Sequence, residues 1–144
     1  MITIYRLDPN HQYVIEGTGA SEFIQGTVFD NLVRPGGGRD TIAAGPRTNE
    51  IQGSLEELDG TTALNFHDGD SLDFTDLASA GATAAFPAGV LTVCDRGVVA
   101  ARVQFPDLPT DASFSPKPDG RGGCSVSLIT VPAPARAVAA QPAR

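Results

Sequence analysis

Side chains with carboxylate or amide oxygens recur at a fixed interval in the first third of the chain. They stand nine residues apart: Glu22, Asn31, Asp40 and Asn49. The whole chain of 144 residues carries 17 Asp and Glu against 10 Lys and Arg, which gives a formal net charge of −7. This balance disfavours binding to nucleic acid or to an anionic membrane, whereas an acidic surface suits cations. Oxygen atoms facing a cation are therefore the first chemistry to consider.

Other reactive side chains form no catalytic or metal-binding pattern. Cys94 and Cys124 lack CxxC spacing, and the two histidines lie far from both in sequence, which argues against a zinc site or a Cys-His pair. The two thiols either pair, if the chain is exported, or stay free. The residues that could act as base or electrophile form no recognisable constellation: His67, Arg39 and Arg47. We therefore predict that the chain is not an enzyme.

A second group of carboxylates follows the nine-residue pattern: Asp68, Asp70, Asp73 and Asp76. The spacing required for an EF-hand is not met. Asp73 and Asp76 flank apolar residues, so we predict that both occupy solvated strand positions. His67 is predicted to be an exposed turn residue.

The nine-residue interval also organises the apolar residues. One aliphatic recurs in each period: Ile15, Ile24, Val33, Ile42 and Ile51. Turn-forming residues open each period: Gly17-Thr18, Gly26-Thr27, Pro35-Gly36 and Gly45-Pro46. Each period therefore predicts a turn and a short strand with one inward aliphatic, and two periods make one coil of a solenoid. Residues eighteen apart then share an edge, which places Glu22 near Asp40, and Asn31 near Asn49 on the other edge.

The rest of the chain is expected to close this solenoid. One buried aliphatic contributes roughly 1.5–3 kcal/mol, while ordering costs about 1.5 kcal/mol per residue, so the coils need a cap. Ser54 and Glu57 fit a capping box before a single helical turn. Strands are predicted on both sides of an acidic turn in 61–77, in a hairpin over 90–105 with the three-residue connection Asp95-Arg96-Gly97, and over 125–131.

The predicted fold is thus all-β, a short parallel β-roll (β-solenoid) capped by antiparallel strands. Its divisions are an N-terminal lead-in (1–13), the β-roll (14–60), a β-rich C-terminal cap (61–131) and a disordered Pro/Ala tail (132–144). Apolar runs are too short for a membrane span. An open N-terminal coil over Met1 to Tyr13 could lead to self-association.

The run Gly36-Gly37-Gly38-Arg39-Asp40-Thr41-Ile42 resembles the motif G-G-x-G-x-D-x-U-x of haemolysin-type calcium-binding repeats in bacterial RTX proteins. The segments 61–77 and 90–131 are similar to the β-rich region that follows such repeats. The resemblance implies a β-roll with Ca²⁺ in its turns. Carried over by position, it implies ligands from the Glu22 and Asp40 side chains and from the backbone at Gly36 and Gly38. Asn31 and Asn49 are the weaker candidates because they supply no carboxylate.

The same resemblance implies a non-catalytic calcium-binding module of an exported bacterial protein, secreted or held at the cell surface. Export in that family runs through a type I exporter that needs no cleavable N-terminal signal, and none is recognisable here. Calcium would couple folding to export. The alternatives are a metal-independent structural or adhesive β-solenoid module, and a C-terminal fragment of a secreted enzyme.

Overall fold

The structure is a computed structural model that describes residues 4–6 and 13–130. The predicted Pro/Ala tail lies outside the described residues. Strands alternate with turns along the whole described chain: β1 (Ile4–Arg6), β2 (Tyr13–Glu16), β3 (Phe23–Gln25), β4 (Asn31–Arg34), β5 (Thr41–Ala43), β6 (Asn49–Gly53), β7 (Thr62–Leu64), β8 (Ser71–Phe74), β9 (Ala82–Ala85), β10 (Val90–Asp95), β11 (Val98–Gln104), β12 (Ser113–Pro118) and β13 (Cys124–Thr130). One helical turn, α1 (Leu55–Leu58), separates β6 from β7.

The strands form two sheets. One has the order β1-β2-β4-β6-β8-β13-β12 and the other the order β3-β5-β7-β11-β10-β9. Within them, β2-β4-β6-β8 and β3-β5-β7 pair in parallel, so consecutive strands alternate between the sheets as the coils of a β-solenoid do. The predicted all-β solenoid with antiparallel capping strands is confirmed.

The strand register pairs residues that are two nine-residue periods apart. Ile15 pairs with Val33 and Val33 with Ile51, while Ile24 pairs with Ile42 in the other sheet. All five of these side chains are at most 1% exposed. Each short strand turns one aliphatic inward, and stacking in register lines these side chains up as a continuous core.

Helical turn α1 changes the coil length without ending the solenoid. The predicted capping box is present: Ser54 Oγ accepts from the Glu57 N–H at 3.0 Å, and the Glu57 carboxylate accepts from the Ser54 N–H at 2.9 Å. Ile51 then pairs with Leu72, a spacing of 21 residues instead of 18. Parallel pairing therefore continues past residue 60 into β7 and β8.

Antiparallel strands and four aromatic rings close the C-terminal end. Strand β13 pairs with β8, and β11 joins β7 through a single parallel pair. Ring centroids lie 5.1–6.0 Å apart within one cluster: Phe66, Phe86, Phe105 and Phe114. These large side chains supply the core that the narrow coils lack.

Two details of this cap differ from the sequence prediction. Asp95 pairs with Val98, so the hairpin connection is the two residues Arg96 and Gly97, both with positive φ (53° and 84°). A two-residue turn with positive φ at both positions matches the right-handed twist of its strands, whereas a type I or II turn would splay them. The second difference is that no strand was predicted for β9 or β12; β12 contains Pro116 and Pro118 and tolerates them as an outermost strand.

The two cysteines are free thiols that lie on different sheets. Cys94 is on β10 and half-buried, whereas Cys124 is on β13 and fully buried. Burial raises the pKa of the Cys124 thiol. A thiol-reactive dye is therefore expected to label Cys94 first and Cys124 only on unfolding. Fewer than two labelled thiols in denaturant without reductant would contradict this prediction.

Candidate functional site

The polar column of the repeat forms two buried stacks at the turns of the solenoid. The acidic edge comprises Glu22, Asp40 and Thr61, and the asparagine edge comprises Asn31, Asn49 and Asp70; all six residues are at most 5% exposed. The predicted neighbours, eighteen residues apart, are in contact on both edges. Thr61 and Asp70 were not predicted, because α1 adds three residues between Asn49 and Thr61. Counting nine residues on from Thr61 would have found Asp70.

On the asparagine edge, Asn31 closes its own turn. Its Oδ1 accepts from the Thr27 N–H at 3.0 Å and from Thr27 Oγ1 at 2.7 Å. Its Nδ2 donates to the carbonyls of Thr27 and Phe29 at 3.2 and 3.1 Å. The same Nδ2 lies 2.8 Å from Asn49 Oδ1 in the next coil. The side-chain amide of Asn31 therefore holds its own turn together and also links its coil to the next one.

Asn49 repeats this pattern one coil later. Its Nδ2 donates to the carbonyls of Gly45 and Arg47, both at 2.9 Å, and its Oδ1 accepts from the Gly45 N–H at 3.2 Å. Asp70 continues the stack and accepts from the backbone N–H groups of Asn49 and His67 at 2.9 and 3.1 Å. Although burial raises the pKa of Asp70, both its oxygens have donors. The asparagine edge is thus held together by its own amide and backbone groups.

On the acidic edge, some buried polar atoms have no hydrogen-bond partner among the described residues. Glu22 accepts from the Thr18 N–H at 2.8 Å and from Thr18 Oγ1 at 3.1 Å, and Asp40 Oδ1 accepts from the Glu22 N–H at 3.0 Å. Asp40 Oδ2 and Thr61 Oγ1 are buried and have no hydrogen-bond partner among the described residues. Burial, together with the nearby Glu22 carboxylate, raises the pKa of Asp40 to about 6. A buried carboxylate oxygen without a donor is costly.

The two edges differ in one donor group. The Nδ2 group of each asparagine donates hydrogen bonds to the carbonyls of the residues two and four positions before it. At Asp40 the corresponding residues are Gly36 and Gly38, and a carboxylate has no proton to donate to their carbonyls. A hard cation can instead contact carboxylate and carbonyl oxygens together, because Ca²⁺ takes six to eight oxygen ligands.

Gly36 and Gly38 allow this turn to lie close to the one before it. Their φ angles are 76° and 88°. A Cβ at Gly36 would lie 2.5 Å from the Thr18 carbonyl oxygen, and one at Gly38 would lie 2.8 Å from the Ala20 carbonyl carbon. Only glycine adopts this backbone conformation readily and also avoids these contacts. The predicted positions Gly36, Gly38, Asp40 and Glu22 thus come together in one pair of stacked turns.

Other candidate groups are dispersed. His67 is half-exposed and lies 3.4 Å from Asp70, Arg47 lies 3.6 Å from Asp30, and the Arg39 N–H donates to Ser21 at 3.0 Å. Within residues 4–6 and 13–130, no group of three or more His, Cys, Asp or Glu side chains is arranged to hold a metal ion. In the same residues, no helix is long and apolar enough to cross a membrane.

The prediction that Asp73 is solvated is wrong. Asp73 is fully buried, whereas Asp76 is exposed as predicted but lies in the turn after β8 and not in a strand. The cause is tertiary: strand β13 pairs alongside β8, and Arg121 from the loop before it covers the Asp73 carboxylate.

Comparison with protein-family models, curated proteins and solved structures finds no match to this chain. The fold and the two edges define a short β-solenoid whose stacked turns are held by buried polar side chains.

Proposed function

We propose that this chain is a non-catalytic β-solenoid module that binds one calcium ion at the acidic edge. The observation that carries the proposal is the buried Asp40 Oδ2, which has no hydrogen-bond partner among the described residues and lies beside a second buried carboxylate. Two such carboxylates repel each other unless a proton or a cation compensates them. A calcium ion would supply that charge.

The oxygen donors come from two successive turns. The side chains of Asp40 and Glu22 would provide carboxylate oxygens, and Gly36 and Gly38 would provide main-chain carbonyls. Solvent would complete the coordination. Asn31 and Asn49 have no part in this site, because their amide groups already hydrogen-bond to the turns of the other edge.

The resemblance to RTX repeats supports placing such a module in an exported bacterial protein, secreted or at the cell surface, with a type I exporter as its partner. In this proposal the acidic edge stays strained where calcium is scarce and becomes stable outside the cell. Self-association through the N-terminal coil stays a prediction.

Calcium is expected to raise the melting temperature of the wild-type protein. If the affinity lies in the 10⁻⁴–10⁻³ M range of extracellular modules, 10 mM calcium stabilises the fold by about 1.4–2.7 kcal/mol. Thermal unfolding followed by circular dichroism measures this effect, with sodium chloride at matched ionic strength as the reference. Asp40→Asn is expected to remove the response, because its amide can donate to the carbonyls that the ion would contact.

A matched control is Asp111→Asn, which removes one exposed carboxylate elsewhere and should leave the calcium response intact. An unchanged wild-type melting temperature up to 10 mM calcium would contradict the proposal. An Asp40→Asn variant that responds as strongly as wild type would also contradict it, since the ion would then bind elsewhere.

A metal-independent structural module is the second candidate. The asparagine edge favours it, because Asn31, Asn49 and Asp70 join three coils through direct hydrogen bonds. A protein that is fully folded in chelator and indifferent to calcium would support this second function.

A further inference from the structure

Another buried carboxylate lies where the C-terminal hairpin meets the solenoid. Asp73, on β8, is 0% exposed. Its Oδ2 accepts from Gln52 Nε2 at 3.1 Å and from Arg121 Nη2 at 2.8 Å. Its Oδ1 is buried without a hydrogen-bond donor among the described residues. Asp73 is therefore only half satisfied, although an arginine is bound to it.

The group that faces Asp73 is another carboxyl group. Asp119, in the connection between β12 and β13, interacts side chain to side chain with Asp73. Its Oδ1 accepts from the backbone N–H groups of Arg121 and Gly123 at 2.6 and 2.9 Å. A Cβ on Gly123 would lie 2.5 Å from Asp119 Oδ2 and 2.7 Å from the Phe74 carbonyl oxygen, so Asp119 Oδ2 and the end of β8 lie on either side of Gly123.

Two facing carboxyl groups form a hydrogen bond only if one of them carries a proton. The surrounding charges do not remove this requirement. Arg121 supplies one positive charge, but it is shared with Glu50 at 3.9 Å. Gln52 on β6 and Ser125, paired opposite on β13, are neutral, and the Cys124 thiol has a raised pKa. Three acidic groups thus surround one guanidinium.

We propose that Asp73 and Asp119 share one proton in the folded protein and that this bond fastens the β12–β13 hairpin to the solenoid. A proton fits this place better than a metal ion, because among the described residues Asp73 is faced by one carboxyl group, Asp119, and the Arg121 guanidinium is already bound to Asp73. Loss of the proton leaves two adjacent anions, which weakens the attachment of the hairpin.

The pKa directions agree with this geometry. Burial, and then the Asp119 carboxylate, raise the pKa of Asp73, while the hydrogen bond with Asp73 lowers the pKa of Asp119. A carboxyl group with a raised pKa costs no stability below its unfolded value of 3.8; the cost grows as pH rises from there towards the folded value and is constant above it. The lowered pKa of Asp119 acts in the opposite sense and only in acid. Above about pH 5 the pair therefore loses stability as pH rises.

Asp119→Asn tests this attachment directly. Its Oδ1 can keep both backbone N–H bonds, and its Nδ2 can donate to Asp73 Oδ1 at every pH. Urea unfolding in chelator between pH 5 and 9 is expected to show a falling stability for wild type. Between pH 5 and 9 the unfolding equilibrium constant of wild type is expected to rise by a factor at least about tenfold larger than that of the variant, which corresponds to one pKa unit.

A local measurement distinguishes the hairpin from the other buried carboxylates. Hydrogen-exchange protection factors for the Arg121 and Gly123 amides should decline with pH in wild type and in Asp40→Asn, but not in Asp119→Asn. Equal pH dependence in wild type and Asp119→Asn would overturn the proposal. Calcium-dependent protection of these amides, absent in Asp119→Asn, would also overturn it, because a metal ion would then bridge the pair. Since the urea and pH series are run in chelator and calcium is added only in a separate exchange measurement, the pH dependence is independent of calcium at Asp40.

Discussion

Replacing Asn49 with aspartate is expected to lower the free energy of unfolding by about 3–5 kcal/mol. The substitution removes the two N–H groups that Asn49 donates to the Gly45 and Arg47 carbonyls. It also puts a second carboxylate against Asp70, whose oxygens lie 3.4 Å from the Asn49 amide nitrogen. Urea unfolding in chelator, followed by circular dichroism, measures the loss.

The matched variant on the opposite edge is Asp40→Asn, and the expected effect has the opposite sign. In chelator this variant should be at least as stable as wild type, because its amide replaces a carboxylate oxygen that has no donor among the described residues. Asn49→Asp is expected to regain part of its stability in calcium, since an ion can compensate the new carboxylate. An Asn49→Asp variant as stable as wild type in chelator would show that the amide stack contributes little.

Gly45→Ala is expected to cost about 3 kcal/mol or more. A Cβ at this position would overlap the carbonyl oxygen of Thr27 in the preceding coil. Since Thr27 is fixed by Asn31, the two turns cannot separate without breaking the hydrogen bonds of the asparagine edge. The melting temperature and the urea midpoint should both fall.

Gly37→Ala is the control for this substitution, because it changes a glycine in the turn of the preceding period whose Cβ would have no neighbour within 4 Å. Its φ is also not positive. Its effect should stay within about 0.5 kcal/mol. Equal losses for Gly45→Ala and Gly37→Ala would mean that glycine content, rather than close stacking of the turns, determines stability.

In the folded chain, the glycines of the turns and the acidic side chains have separate roles. Glycines 36, 38 and 45 stand where one turn lies against the next. Few of the carboxylates in the described residues are buried, and two of these, Asp40 on the acidic edge and Asp73 at the hairpin attachment, each have one oxygen without a donor. The polar chemistry of this protein is therefore concentrated in two places, at Asp40 and at Asp73.

Much of the coil geometry could be predicted from sequence because the repeat is local. Ile24 and Ile42 occupy the same column, and a period of nine places them one above the other in adjacent coils. The edge pairs Glu22–Asp40 and Asn31–Asn49 follow from the same counting. Which of these side chains lacks a donor could not be predicted, because it depends on how the turn amides and carbonyls point.

What the sequence by itself determined was the fold class, the inward column of aliphatics and the helical turn at Ser54, because each depends on neighbours along the chain or one coil away. Only the tertiary structure decided that Asp70 extends the asparagine edge and that Asp73 is buried. The three residues added at α1 shift the period that leads to Asp70. Asp73 is covered by Arg121 and faced by Asp119, which are 48 and 46 residues further along the chain. Contacts between residues so far apart in sequence follow no repeat. The burial of this carboxylate therefore depends on where the β12–β13 hairpin packs, which the sequence pattern does not indicate.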